Sequence, residues 1–189
     1  MTYKLYFRYG CMNSSKTANL LMIAHNYESQ NKKVLVLKPS IDTRTPNITS
    51  RCGISRNVDI FIDNATNLLD IDLTDIVCLL VDEVQFLEEK HIEQLRQLTK
   101  YTPVICYGLK TDYKTILFPG SKRLIELADS IEEIKTICVD CGKKSIINAK
   151  FFINENSKKI IKEGDNAIDI GYEEKYQAMC WNCWFSYFN

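Results

Sequence analysis

Residues 3–17 read YKLYFRYGCMNSSKT, and this stretch decides the fold. Its first part, residues 3–9, is short, aromatic and apolar, the pattern of a strand. Its second part, Gly10-Cys11-Met12-Asn13-Ser14-Ser15-Lys16-Thr17, fits G-x-x-x-x-G-K-[ST] at all but one position. Residues 17–30 then carry Leu20, Leu21, Ile23, Ala24 and Tyr27 at helical spacing. Strand, turn-rich loop and helix in that order make a phosphate cradle, in which backbone N–H groups and the helix N-terminus face the anion. Lys16 then supplies positive charge to the β- and γ-phosphates, and the Thr17 hydroxyl ligates Mg²⁺. The departure is Ser15, which stands where the second glycine belongs. Serine is small and serves there if its φ stays negative.

Further along, Val34–Leu37 is a buried-strand pattern ended by Lys38-Pro39, Ile76–Val81 is a stronger one, and Val104–Tyr107 is a third, stopped by Gly108. Residues 88–100 are helical in pattern through Ile92, Leu95 and Leu98, and Arg123–Ala128 reads as a short helix. Residues 40–57 and 109–120 read as loops. Strands alternating with helices imply an α/β fold whose parallel sheet is covered on both faces. The composition changes after about Ser130, so a nucleotide-binding domain is expected over residues 1–130 and a smaller one over 131–189.

Ile76–Val81 ends in Asp82-Glu83. An apolar strand ending in an acid is where a phosphate-loop fold places its second Mg²⁺ partner. Asp82 is therefore the expected metal-associated acid. Glu83, next to it, is placed to take a proton from a substrate hydroxyl.

Composition narrows the rest. The 189 residues are 46% hydrophobic and 25% charged, a globular balance that rules out disorder as the main theme. With 24 basic against 24 acidic residues the net charge is zero, which argues against a broad nucleic-acid surface. No apolar run approaches the roughly 18 residues of a membrane span, and residues 1–8 lack a signal-peptide layout. A cytoplasmic protein with no membrane partner is expected. His25 and His91 sit in helical stretches without a partner pattern and read as surface or helix-face residues.

Four of the eight cysteines form two CxxC pairs, Cys138/Cys141 and Cys180/Cys183. In a reducing compartment such pairs are metal ligands before they are disulfides. Together they complete a tetrahedral set with no open position, so one structural Zn²⁺ per chain is expected. The long interval between the pairs is read as a loop or hairpin tied at its base by zinc, with Phe151 to Tyr176 as a candidate lid. The aromatics after Cys180 read most simply as packing around the metal.

The ordered segments YFRYGCMNSSKT, KPSIDTR, VDEVQF, YGLKTDY followed by FPGS, CVDC with GKK, and GYEEKYQAMCWNC resemble the zinc-containing, P-loop thymidine kinase family from about Tyr3 to Cys183. That resemblance implies a RecA-like core plus a small Cys₄ zinc domain carrying a lasso loop. It implies transfer of the ATP γ-phosphate to the 5′-hydroxyl of thymidine, and of deoxyuridine, giving dTMP in nucleotide salvage. It assigns Lys16, Thr17, Asp82 and Glu83 the roles above. Met12, Leu109, Tyr113 and Phe118 match the thymine pocket, Phe86 an aromatic near the sugar, and Asp42 and Arg44 a pair flanking phosphate transfer. Asp169, Ile170 and Gly171 fall in the lasso, Tyr176 matches a tyrosine near the sugar, and Asn148 lies near the thymine methyl. A homotetramer and feedback inhibition by dTTP are implied in the same way.

Two departures keep other readings open. Tyr172 replaces the second glycine of the lasso, and Lys150 stands where an arginine is usual. With Ser15 and Asn148, they motivate a catalytically impaired nucleotide-binding sensor, or a deoxynucleoside kinase with shifted base preference.

Overall fold

The computed structural model describes residues 2–41, 47–154, 157–161 and 176–188. The chain opens with β1 (Leu5–Tyr9), α1 (Lys16–Glu28) and β2 (Lys33–Pro39). After a short hairpin, β3 (Asn47–Thr49) and β4 (Ser55–Asn57), come β5 (Ile60–Ile62), β6 (Ile76–Val81), α2 (Glu89–Leu98), β7 (Val104–Gly108), α3 (Pro119–Leu127) and β8 (Ser130–Glu133). Six of these strands form one sheet in the order β5-β2-β6-β7-β1-β8, with every pairing parallel.

Alternate side chains of each strand supply opposite faces. Leu79 and Val81 of β6 join Leu5, Phe7, Val104 and Cys106 beneath Ile92, Leu95 and Leu98 of α2 and Leu124 of α3. Cys78 and Leu80 point the other way, with Val34, Val36, Ile105 and Tyr107, onto Leu20, Leu21 and Ala24 of α1. Burying a leucine in such a layer contributes about 1.5–3 kcal/mol, and this apolar area on both faces is what holds α1 where its N-terminus caps the sheet. A polar strut assists: the Tyr107 hydroxyl donates to Asn19 Oδ1 at 2.9 Å and accepts from Arg8 Nη1 at 3.0 Å.

The apolar runs fall where expected, with differences at the short elements. Residues 40–57 are not all loop: the β3–β4 hairpin lies along α1, with Ile48 buried in that helix's core and Arg56 paired to Glu28 at 2.9 Å. α3 begins at Pro119 rather than Arg123, with proline in its first turn, where the missing N–H costs nothing. β8 carries the large sheet past residue 130, pairing with β1 as far as Glu133. His91 corrects the surface reading: it is 1% exposed, on the inner side of α2.

The remaining part is a three-stranded antiparallel sheet, ordered β10-β9-β11, of β9 (Ile147–Asn154), β10 (Ser157–Ile161) and β11 (Tyr176–Met179), followed by α4 (Trp181–Ser186). Of the loop or hairpin expected between the cysteine pairs, the structure shows the hairpin, because residues 151–154 and 157–161 are paired antiparallel strands. The rest of that segment, including Asp169, Ile170, Gly171 and Tyr172, lies outside the described residues, as do Asp42 and Arg44.

Candidate active site

The loop between β1 and α1 is built tightly. A Cβ on Gly10 would lie 2.4 Å from the Ile134 carbonyl oxygen and from Ser14 Oγ, so only glycine fits. Asn13 and Ser15 both have φ of 64°, and Ser15 has ψ of 27°. The condition of a negative φ at Ser15 therefore fails: serine adopts the left-handed conformation that glycine takes freely. Each such residue costs on the order of 1–2 kcal/mol. A strained loop of this kind persists only because its surroundings fix it.

Lys16 is 8% exposed, and its ammonium donates back to the carbonyls of Gly10 at 3.1 Å and Cys11 at 2.9 Å. Burial holds its pKa below the ordinary lysine value, against the opposing charges of Glu83 and Asp82. Arg51, at the turn of the β3–β4 hairpin, is near enough to push it down further. An ammonium so placed is held over the loop until an anion offers better partners.

The first turn of α1 meets the end of β6. Thr17 Oγ1 donates to Asp82 Oδ2 at 3.0 Å. Asp82 is 2% exposed, and its other oxygen, Oδ1, is buried without a partner among the described residues. Burial first, and the adjacent Glu83 charge second, raise its pKa to about 7. A hydroxyl and a carboxylate side by side, one oxygen unsatisfied, fit a hard divalent cation.

Glu83 also has a left-handed backbone, φ 51° and ψ 37°, at the start of a single 3-10 turn over Val84–Phe86. This turn brings Gln85 back, so that its Nε2 donates to Glu83 Oε2 at 2.6 Å. Gln85 Oε1 accepts from the Leu109 backbone N–H at 3.0 Å. Gln85 is the residue the sequence reading missed. Its one trace in the sequence is Gly108, where a Cβ would sit 2.5 Å from Gln85 Oε1.

Residues 109–118 form a strap closed by a bridge between Thr111 and Leu117 and by Asp112, whose Oδ1 accepts from the Lys114 and Ile116 backbone. Ser121 of α3 holds the Leu109 carbonyl at 2.6 Å. Asn148 of β9 ties the strap to the phosphate loop: its Oδ1 accepts from Met12 N–H at 2.8 Å, and its Nδ2 donates to the Thr111 carbonyl at 3.1 Å. Phe86 and Phe118 meet edge to face at 5.9 Å. Tyr113 is 1% exposed, and the Lys150 ammonium lies over its ring at 5.1 Å and over that of Tyr176 at 5.8 Å. The structure thus gathers the loop residues, Asp82, Glu83, the strap and Asn148 at one end of the sheet. This is the carboxyl end of the parallel strands, where such folds bind ligands.

Cys138, Cys141, Cys180 and Cys183 bring their sulfurs within 4.8 Å of one another, with Cys141 Sγ to Cys180 Sγ at 3.6 Å. A tetrahedron of Zn–S bonds of about 2.3 Å spaces sulfurs about 3.8 Å apart, so the set fits zinc. Burial opposes ionisation of Cys138, but backbone N–H groups of Cys180, Cys141 and Asp140 outweigh it and draw the thiol down to about 7. Neighbouring thiols push Cys183 up. Four thiols in contact ionise together only around a cation. Among the described residues no helix is long and apolar enough to cross a membrane.

A family model described as thymidine kinase matches residues 3–184. The chain is similar to the thymidine kinase of Chromobacterium violaceum, 44% identical over 184 residues that cover 95% of this chain and 97% of that protein. It is similar to the thymidine kinase of Lactiplantibacillus plantarum, 40% identical over 189 residues, 96% of this chain and 95% of that one. Among solved structures, the Pif1 helicase of Candida albicans is similar at a TM-score of 0.43 and 13% identity, over 72% of this chain and 36% of that chain.

Proposed function

The chain belongs to the thymidine kinase family, whose members here are ATP-dependent phosphotransferases, and we propose how its residues divide that work. The substrates are thymidine and ATP. The observation that carries the assignment is the Thr17–Asp82 contact at 3.0 Å beneath Lys16, with Asp82 Oδ1 left unsatisfied. Thr17 and Asp82 would hold the Mg²⁺ that accompanies ATP, and that ion would supply charge neutralisation at the β- and γ-phosphate oxygens. Lys16 leaves the Gly10 and Cys11 carbonyls for those oxygens. Glu83 takes the proton of the thymidine 5′-hydroxyl as that oxygen bonds to the γ-phosphorus and the bond to ADP breaks.

The strap supports the base. Leu109, Tyr113 and Phe118, with Met12 and Phe86, offer apolar and aromatic faces suited to a flat neutral ring. Tyr176, linked to Tyr113 through Lys150, is assigned to the nucleoside, and the family likeness assigns substrate contacts to Asp169, Ile170 and Gly171 and to Asp42 and Arg44, these last five outside the described residues. The four cysteines hold one structural zinc. We place the boundary between the phosphate-loop and zinc-binding parts just after β8. A homotetramer, feedback inhibition by dTTP and a cytoplasmic location are proposed from the family likeness.

Purified protein with Mg-ATP and labelled thymidine tests this. Formation of dTMP in the parent and its loss, on the order of 10²–10⁴-fold in kcat, in Glu83→Gln is the expected result. A Glu83→Gln kcat near the parent's rejects Glu83 as the base.

A further inference from the structure

Glu83 reaches a substrate hydroxyl only if its carboxylate is aimed, and among the described residues the Gln85 side chain hydrogen-bonds to it. Gln85 is 2% exposed, and both ends of its carboxamide are engaged. Its Oε1 accepts from the Leu109 N–H at 3.0 Å, and its Nε2 donates to Glu83 Oε2 at 2.6 Å. The orientation of the amide is set by its partners. A backbone N–H requires an oxygen opposite it, so the NH₂ end must face the carboxylate, and a flipped amide would set donor against donor and oxygen against oxygen. Glycine at position 108 leaves the room this amide needs, because a Cβ there would lie 2.5 Å from Oε1. Glu83 needs such a hold: its left-handed backbone, φ 51°, is strained for a residue with a side chain.

We propose that Gln85 is a positioning residue that aims the Glu83 carboxylate from the strap lining the nucleoside pocket, so that one carboxamide sets the base relative to a strap that the Thr111–Leu117 bridge and Ser121 hold in place. The proposal rests on Glu83 being the base. It makes the Leu109 backbone, rather than solvent, the reference against which the base is placed. A thymidine molecule that seats against the strap is thereby registered to Glu83. An error of about 1 Å in such a placement costs on the order of 10²-fold in rate.

Three variants and a thermodynamic cycle test it. Gln85→Met fills the same volume without either hydrogen bond. Gln85→Glu keeps an acceptor for Leu109 but replaces the donor facing Glu83 with a second acceptor. Both are expected to lower kcat on the order of 10–10²-fold while KM for thymidine and the thymidine-induced rise in Tm stay within about threefold of the parent's. In a Glu83→Asp background, whose shortened carboxylate no longer meets Gln85, adding Gln85→Met should cost less than about threefold. Equal losses in both backgrounds, a loss confined to KM, or parental kcat in Gln85→Met would overturn the proposal. Parental kcat in Glu83→Gln overturns instead the base assignment beneath it, and the two failures are told apart by which variant retains activity.

Discussion

The Thr17 hydroxyl and the Asp82 carboxylate meet at 3.0 Å although 65 positions separate them in the chain. The parallel pairing of β2 with β6 sets the height of Asp82, whose N–H donates to the Leu37 carbonyl at 3.0 Å. The packing of Leu20, Leu21 and Ala24 sets the height of Thr17. Strand pairing and the packing of α1 on those same strands therefore converge on one hydrogen bond, and the candidate phosphate site inherits their rigidity.

Ser15 carries local strain in the phosphate loop. Ser15→Gly should raise stability by about 0.5–1 kcal/mol, since relief of the left-handed backbone exceeds the extra entropy of an unfolded glycine. Ser15→Val should lower it by more than about 1 kcal/mol, because a β-branched residue resists that conformation most. Urea midpoints of the two variants decide it, and a destabilised Ser15→Gly would show that the serine side chain earns its place by a contact instead.

Asn148 spans the phosphate loop and the strap. Asn148→Ala leaves the Met12 N–H and the Thr111 carbonyl without their partner, and should cost about 1–3 kcal/mol. Because both anchored segments belong to the proposed substrate site, KM for thymidine should rise as well. Unchanged denaturant stability would mean that water takes over both bonds.

Zinc content should be about one per chain in protein prepared without chelators. A strong chelator should shift tryptophan emission to the red, since both tryptophans of the chain, Trp181 and Trp184, follow Cys180 directly on α4, and Trp184 packs on Cys138. Absence of metal together with unshifted emission would rule out the structural zinc.

His91 gives a pH dependence remote from the site. Burial, with Lys90 beside it, holds its imidazole below the ordinary 6.5, while Glu88, the Thr66 backbone and Asp63 oppose this less strongly. The folded chain thus binds the proton more weakly than the unfolded chain. Stability contributed by neutral His91 is present above about pH 6.5 and is lost as pH falls below it. The Tm difference between pH 7.5 and 5.5 should be smaller in His91→Leu than in the parent. Equal differences would place the acid sensitivity elsewhere.

Much of this was legible in residue order. β1, β2, β6 and β7 are apolar because they are buried on both faces, and such runs announce themselves. β8, SIEE, does not, since it is an edge strand whose ends are only half-buried. β5 is three residues long, and the β3–β4 hairpin is held by one buried isoleucine. In the site, Lys16, Thr17, Asp82 and Glu83 follow from spacing, because the chemistry demands those types in that order. Gln85 does not, and Asn148 is reached through the family resemblance alone. Their partners are backbone groups 24 and 136 positions away, and contacts of that kind leave no periodicity to read.

The order of the cysteines also bears on how the molecule is made. All six strands of the large sheet have been synthesised by Glu133, whereas the thiol ring is complete only when Cys180 and Cys183 emerge. Domains tend to fold in the order in which they leave the ribosome. A nascent chain stopped between Cys141 and Cys180 therefore owns the whole large sheet and half a metal site. Metal capture becomes the late event of biogenesis, a stamp that only a translated C-terminal segment can receive.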